Sequence, residues 1–210
     1  MGKLKILFTT LLFLSFIFTS QAQSIVIKDL PISVGYYGEN GIHPGLKIGT
    51  SYTFWSKEKI KTYRFKSRTE KYGSKNKLKE LSLDFNLGGY SHPNNHSGYF
   101  SNIGITYLRT KTRKRRQLGV SFEIGYLRRF NKLTTYELDE NGAIKKVNFA
   151  GNNALVIALS PIFAKEFEFR ARHMRYFIKP SLQYLKYNEK FQPNATLEVG
   201  LVFNIARKEK

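Results

Sequence analysis

The densest group of charged side chains lies in residues 109–116, RTKTRKRR, where six of the eight residues are Lys or Arg and none is acidic. Segment 57–77 adds nine basic residues against two glutamates. Basic side chains at this density bind phosphates and other anions, Arg through paired hydrogen bonds. They equally keep an exposed turn hydrated, and the sequence leaves both interpretations open. The candidate anion- or lipid-binding residues are Arg109, Lys111, Arg113, Lys114, Arg115, Arg116, Lys59, Lys61, Arg64, Lys66 and Arg68.

Two other segments contain possible metal ligands, and both are predicted to be turns. His92 and His96 stand four apart in HPNNH, a turn segment with no carboxylate close in sequence. Segment 137–145, ELDENGAIK, lacks the regular oxygen ligands of a calcium loop, and its Asn141-Gly142 pair indicates a tight hairpin turn. We therefore predict no metal site and no cofactor.

Catalytic motifs do not occur in the chain. It has no cysteine, no Gly-x-Ser-x-Gly elbow, no glycine-rich phosphate loop and no zinc-binding helix motif. A serine, a histidine and an acidic residue from different strands could still converge in space. The prediction is a protein that is not an enzyme and has no catalytic residues, with a hydrolase as the alternative.

The first residues indicate export. In segment 1–22, Lys3 and Lys5 precede an apolar run, and Ser20 and Ala22 are the small residues of a cleavage site. This is the layout of a cleavable signal peptide. The net charge of +20 would indicate nucleic acid in a cytosolic protein, but an exported chain meets lipid headgroups, lipopolysaccharide and cell-wall polymers instead. We expect anionic lipid or polymer as partner, and no nucleic acid.

The rest of the chain alternates between apolar and polar residues, which is the signal of half-buried β-strands. For example, Leu81, Leu83 and Phe85 alternate with Ser82 and Asp84. The predicted strands are 45–56, 78–90, 99–108, 117–127, 153–164, 173–186 and 195–205. Segment 153–164 alternates least clearly, because it is apolar at both sets of positions.

Two soluble folds share this alternation, a β-sandwich and a lipocalin-like barrel with an apolar interior. The polar face decides between them and a membrane barrel, because it holds Gly, Ser, Asn and Thr with few charges. Such residues suit a narrow polar lumen, and the apolar face would then meet lipid. Aromatic residues near the strand ends would form interface girdles. They are Tyr52, Phe54, Trp55, Tyr90, Tyr99, Tyr107, Tyr126, Phe130, Tyr184 and Tyr187.

These features resemble the small outer-membrane β-barrel proteins of Gram-negative bacteria. The signal segment, the strands of about ten residues with aromatic ends such as Gly104 to Tyr107, and the terminal amphipathic strand carry the resemblance. The stretch 35–49, GYYGENGIHPGLKIG, is similar to the opening segment of uncharacterised members. The resemblance implies the cell outer membrane as location. A soluble periplasmic binding protein and a lipid A-modifying hydrolase are the alternatives.

The predicted fold class is all-β, an antiparallel transmembrane β-barrel of eight strands. Single-chain bacterial barrels have an even number of strands, so an eighth is needed, from 31–38 or from 58–66. We favour a wall that includes part of 31–44. The predicted organisation is a signal peptide 1–22, an N-terminal segment 23–44, a barrel domain 45–206 and a basic tail 207–210. The predicted role is a membrane-embedded structural or binding platform with basic loops.

Overall fold

The computed structural model describes residues 30–40, 43–61, 75–111, 114–138, 142–169, 172–187 and 190–204. The predicted signal peptide 1–22 and tail 207–210 lie outside these ranges. No helix within them is long and apolar enough to cross a membrane. The strands are β1 (Pro31–Glu39), β2 (His43–Lys61), β3 (Lys75–Ser91), β4 (His96–Lys111), β5 (Arg116–Asn131), β6 (Thr135–Leu138), β7 (Ile144–Val147), β8 (Gly151–Phe169), β9 (Arg172–Tyr187) and β10 (Lys190–Asn204).

Eight of the described strands form one closed antiparallel barrel in the order β1-β10-β9-β8-β5-β4-β3-β2. The predicted fold class is therefore confirmed at eight strands. The eighth strand is β1, which pairs with β10 from Pro31 to Glu39 and so places the start of the wall ahead of residue 45. Segment 58–66 supplies no separate strand, because 58–61 continue β2 and 62–66 lie outside the described residues.

The barrel has two ends that differ in their connections. Sequence-adjacent wall strands are antiparallel, so the β2–β3, β4–β5 and β8–β9 connections share one end, which we call the basic end. The β1–β2, β3–β4 and β9–β10 connections share the other end, which we call the mouth, together with the long segment between β5 and β8. That segment contains β6 and β7, which pair as a separate hairpin. Of the predicted Asn141-Gly142 turn, Asn141 lies outside the described residues and Gly142 has φ 76°.

The side chains follow the two-residue period from end to end. Leu83 is 46% exposed and Val120 is 44% exposed. Ser82, the residue before Leu83 on β3, is only 5% exposed. In the middle of the wall the outward positions are mostly apolar, and the inward positions form the core. This arrangement inverts that of a soluble protein, in which apolar residues go inside.

The core has three layers along the barrel. Near the mouth, one apolar cluster contains Tyr37, Tyr90, Phe100, Leu127, Ala154, Val156 and Leu185. Near the basic end, a second cluster contains Leu108, Ile162 and Ala164, with Phe177 packed against it. Polar and charged side chains fill the level between them. The inward side chains of β8 contribute to both apolar clusters, which explains why segment 153–164 is apolar on both faces.

The prediction of an aromatic girdle on the outer face is wrong for two residues, Tyr90 and Tyr187. Tyr90 is 4% exposed and belongs to the inner cluster, against which Tyr187 also packs. Both residues stand at inward positions of their strands, since Leu185 next to Tyr187 in phase is 1% exposed. By contrast, Tyr52, Phe54, Trp55, Tyr99, Tyr126 and Tyr184 are exposed on the outer face.

Two glycines allow the first and last strands to close the ring. Gly35 pairs with Gly200 across the β1–β10 seam. A Cβ atom on Gly200 would lie 2.6 Å from the Val34 carbonyl oxygen, 2.8 Å from the Gly35 Cα atom and 2.8 Å from the Phe177 ring. Because glycine has no Cβ atom, Gly200 leaves room for the Phe177 ring and for the close approach of the β1 backbone.

We expect the substitution Gly200→Val to lower the free energy of unfolding by about 1–3 kcal/mol, because overpacking strains a fixed backbone. Ala195→Val, at an exposed position of the same strand, is the matched control and should have little effect. Denaturant midpoints for the two variants provide the measurement. Equal midpoints would show that the seam tolerates a side chain there.

Candidate functional site

The basic residues predicted from the sequence come together at one end of the barrel. Lys59, Arg109, Lys111 and Arg116 are exposed on neighbouring strands, and Lys114 and Arg115 form the β4–β5 turn. Lys61 ends β2, and its side chain is not among those described. Arg64, Lys66, Arg68 and Arg113 lie outside the described residues.

Strand register converts these residues into two adjoining rows. The first row runs Lys57, Lys79 and Arg109 across β2, β3 and β4. The second row crosses five strands and comprises Lys59, Lys77, Lys111, Arg116 and Lys165. Directly paired residues of an antiparallel sheet share a face, with Cβ atoms about 5 Å apart. We call these eight residues the basic patch.

The basic patch is on the outer face of the wall. Its members are in phase with the exposed apolar residues Leu83, Ile105 and Val120 of the same strands. The adjoining row toward the barrel centre contains Trp55, Leu81 and Tyr107, in register with one another. An apolar band is thus followed by an aromatic row and then by cations.

Opposed like charges destabilise a sheet, so a patch of this kind requires a compensating anion or free access to water. No acidic residue occupies a position in the two rows. Glu58, Glu80 and Glu166 stand at the alternate positions of β2, β3 and β8. The patch therefore offers an anion several Lys and Arg side chains from one continuous surface.

The predicted binding residues did not include Lys57, Lys77, Lys79 or Lys165, although Lys57 and Lys77 lie in the basic segment 57–77. Lys79 continues the alternation of Lys75 and Lys77 just beyond that segment, and Lys165 is the one basic residue of β8. The pairing of Lys79 with Arg109 and of Lys165 with Arg116 brings them in. A register worked out by aligning the alternating apolar positions of neighbouring strands would have found both.

The middle of the lumen contains a second charged group, which is internally balanced. Lys47 Nζ lies 2.7 Å from Glu198 Oε1 and 3.5 Å from Glu123 Oε2. Lys179 also pairs with Glu123. Two lysines and two glutamates from β2, β5, β9 and β10 thus bridge the barrel. All four are 6% exposed or less.

Polar neighbours complete the hydrogen bonding of Glu123. Asn102 Nδ2 donates to Oε2 at 3.2 Å, and Ser121 Oγ donates to Oε1 at 3.4 Å. Asn86 Nδ2 donates to Oε1 at 3.5 Å. Buried ions are tolerated when they are paired and hydrogen-bonded in this way, so we assign the group a structural role in filling the lumen.

A third group lies at the mouth around Glu39, which is 2% exposed. Arg129 Nη2 donates to Glu39 Oε1 at 2.6 Å, while Arg129 Nε donates to the Tyr90 hydroxyl at 2.8 Å. His43 Nδ1 lies 3.3 Å from Glu39 Oε2. Beneath them is a cavity of about 10 Å³, lined in part by Tyr37 and Glu39. It has room for one water-sized molecule.

Comparisons with known proteins give likeness of fold alone. No protein-family model and no curated protein sequence matches this chain. The N-terminal β-barrel domain of Pseudomonas aeruginosa OprF is similar over 84% of this chain and 98% of that chain, with 14% identity and a TM-score of 0.40. The outer membrane enzyme PagL is similar over 83% of this chain and 97% of that one, with 11% identity and a TM-score of 0.35.

A third solved structure is the β domain of the Bordetella autotransporter BrkA. It is similar over 84% of this chain and 99% of that chain, with 8% identity and a TM-score of 0.28. The three similar structures are proteins of different kinds: a β-barrel domain, an enzyme and an autotransporter domain. At these identities and scores none of them transfers an activity, and the barrel assignment rests on the strand pairing itself.

We expect Glu123→Ala to destabilise the barrel by about 3–5 kcal/mol, because it leaves Lys179 and Lys47 short of a buried counter-charge. Glu137→Ala, at an exposed position of β6, should change stability by no more than about 0.5 kcal/mol. Denaturant unfolding followed by tryptophan fluorescence measures both. Loss of stability in the Glu137 variant alone would contradict the role assigned to the lumen ion pairs.

Proposed function

We propose that this chain is a non-enzymatic β-barrel of the bacterial outer membrane, which uses the basic patch to bind the phosphates of anionic lipids. The observation that carries the proposal is the inverted placement of residues, apolar outside and polar or charged in the middle of the lumen. The patch beside the apolar band adds the binding chemistry. Cell fractionation tests the location, and recovery from the soluble periplasm would refute it.

The outer face has the composition of a lipid-contacting surface. Ile103 is 56% exposed, Ile48 51% and Leu159 55%, on three different strands of the wall. A soluble protein rarely exposes a continuous apolar band, because each Å² of apolar surface left in water costs about 25 cal/mol. Wall strands of 15 to 19 residues, such as β10 and β8, exceed the roughly 9–11 residues needed to cross the hydrocarbon region.

The closed ring also meets the strictest requirement of a lipid environment. Hydrocarbon offers no hydrogen-bond partners, so every backbone N–H and C=O group must be satisfied within the protein. Pairing of β1 with β10 removes the two sheet edges that an open eight-stranded sheet would expose. The ring of strands is therefore compatible with lipid on its outer face.

Side chains fill the lumen, which favours an anchored platform over an open channel. Leu185 and Ala154 belong to one apolar layer, Ile162 and Leu108 to the other, and the Lys–Glu pairs bridge the space between them. A barrel of eight strands is just wide enough for its own side chains. Binding at the outer surface is then the activity that the arrangement supports best.

The basic patch has the position expected for contacts with lipid phosphates. Trp55 and Tyr107 separate it from the apolar band, and aromatic side chains are typical of the membrane interface. Lys and Arg beside such a surface extend their charged groups toward the headgroups while their methylene stems stay in apolar surroundings. Each cation near an anionic surface contributes about 1 kcal/mol.

The outward position of Leu83 and Val120 gives a direct test of membrane embedding. We expect Leu83→Arg and Val120→Arg to reduce folding into lipid vesicles strongly, because Arg at the bilayer midplane costs about 2–4 kcal/mol. Leu138→Arg is the control, since Leu138 is 76% exposed on the β6–β7 hairpin outside the wall. Equal folding yields for the three variants would argue against lipid contact at the wall.

The patch is tested by replacing Lys79, Arg109, Lys111 and Arg116 with Gln. We expect the affinity of the folded variant for phosphatidylglycerol, measured by native mass spectrometry, to fall at least tenfold. The reason is that four cationic side chains are removed, each contributing about 1 kcal/mol. Phosphatidylcholine serves as the neutral reference lipid.

The control variant removes the same charge from the mouth end by changing Lys145, Lys146, Lys186 and Lys190 to Gln. These residues are exposed and lie away from the patch. It should keep the wild-type affinity. If both variants lose affinity equally, net charge rather than the patch explains lipid binding, and unchanged affinity in the patch variant means that the patch only hydrates the strand ends.

A further inference from the structure

Three of the four histidines of the chain meet at the mouth. His43 is the first residue of β2, while His92 and His96 flank the β3–β4 turn. The ring centroids of His43 and His92 are 3.9 Å apart, and those of His92 and His96 are 5.3 Å apart. Neutral imidazoles are preferred ligands of zinc, copper and nickel, so a convergence of three of them raises the question of a metal.

A carboxylate oxygen lies among these rings. Glu39 Oε2 is 3.3 Å from His43 Nδ1 and 3.8 Å from His96 Nε2. Two ligand atoms bound at about 2.0–2.1 Å to a tetrahedral zinc ion are about 3.3 Å from each other. The Glu39–His43 distance matches this value. The Glu39–His96 distance is longer, and a small rotation of the His96 side chain would shorten it to the same value.

The nitrogen of His96 that faces Glu39 has no hydrogen-bond partner although it is buried. An unsatisfied buried polar atom is unfavourable and calls for an explanation. A metal ion between His96 Nε2 and Glu39 Oε2 would satisfy both atoms.

The surroundings orient the potential ligands. His92 Nδ1 lies 2.7 Å from the Pro93 carbonyl oxygen, and an N–H donated there leaves the Nε2 lone pair available. Glu39 Oε1 accepts from Arg129 at 2.6 Å and from Asn194 at 3.4 Å, which leaves Oε2 toward the histidines. Hydrogen bonds of this kind to the remote atoms of histidine and carboxylate ligands are the usual support of metal sites.

We propose that Glu39, His43, His92 and His96 form a binding site for one divalent transition-metal ion of the zinc class. Among the described residues no group of three His, Asp or Glu side chains could hold a metal ion in this conformation, so binding requires the histidine rings to rotate. His43 and His96 retain 15% and 14% side-chain exposure at the mouth, which gives an ion access.

The ligand set also determines which ions compete. Three nitrogens and one carboxylate suit zinc, nickel or copper, whereas calcium and magnesium require mostly oxygen ligands. The Arg129 guanidinium beside Glu39 opposes a second positive charge, so we expect an affinity below that of closed structural zinc sites. A bound ion would join the β1–β2 hairpin to the β3–β4 turn.

The test uses the protein without a histidine tag, refolded in detergent micelles and titrated with Zn²⁺ by calorimetry. We expect one ion per chain, unaffected by millimolar Mg²⁺. The variants His43→Ala and His96→Ala should each bind at least tenfold more weakly. His173→Ala is the matched control, since His173 lies on β9 near the basic end, and it should bind as the wild type does.

A second readout does not depend on variants that fold. Cu²⁺ added to the wild-type protein should give an electron paramagnetic resonance spectrum with coupling to at least two nitrogen atoms. A spectrum without nitrogen coupling, absence of saturable Zn²⁺ binding, or binding that His173→Ala removes and His43→Ala leaves intact would each overturn the proposal.

Discussion

Closure of the strand ring between β1 and β10 is the constraint on which the rest of the structure depends. Once Pro31–Glu39 pairs with the end of the chain, every wall strand has two neighbours and the sheet has no edge. Eight strands then fix a narrow interior, and the two-residue period assigns each side chain to the lumen or to the outside. In the closed ring Leu83 and Val120 are on the outer face, and Ser82 and Ser121 are on the inner one.

A narrow lumen must be filled, and this chain fills it with two kinds of contact. Apolar clusters occupy the levels near the mouth and near the basic end, while Lys47, Glu123, Lys179 and Glu198 occupy the middle. The ion pairs are favourable there only because their charges sum to zero and Asn and Ser side chains take up the remaining hydrogen bonds. The same residues that look like a polar face in the sequence are therefore a second core.

The period of two made the wall strands predictable, since Leu83 outside and Ser82 inside are what alternation demands. It failed at strand ends, where Tyr90 and Tyr187 were expected at the membrane interface and turn inward instead. Aromatic character alone cannot distinguish an interface residue from a lumen plug, because both uses need a large ring near a strand end. The patch and the mouth were harder still, because they depend on the exact register between paired strands. Lys165 joins Arg116 through the β5–β8 register, and His43 meets His92 through the β2–β3 register.

Placement of the charges also divides the molecule into ends with different chemistry. At the basic end, cations such as Arg109 and Lys111 point outward, and no acidic residue of the described strands shares their rows. At the mouth, Arg129 is paired with Glu39, and the imidazoles of His43, His92 and His96 lie beside that pair. The lipid-binding proposal therefore concerns the basic end, and the metal-binding proposal concerns the mouth. Because side chains fill the lumen between the two ends, each proposed site would act on its own partner without a solute passing through the barrel.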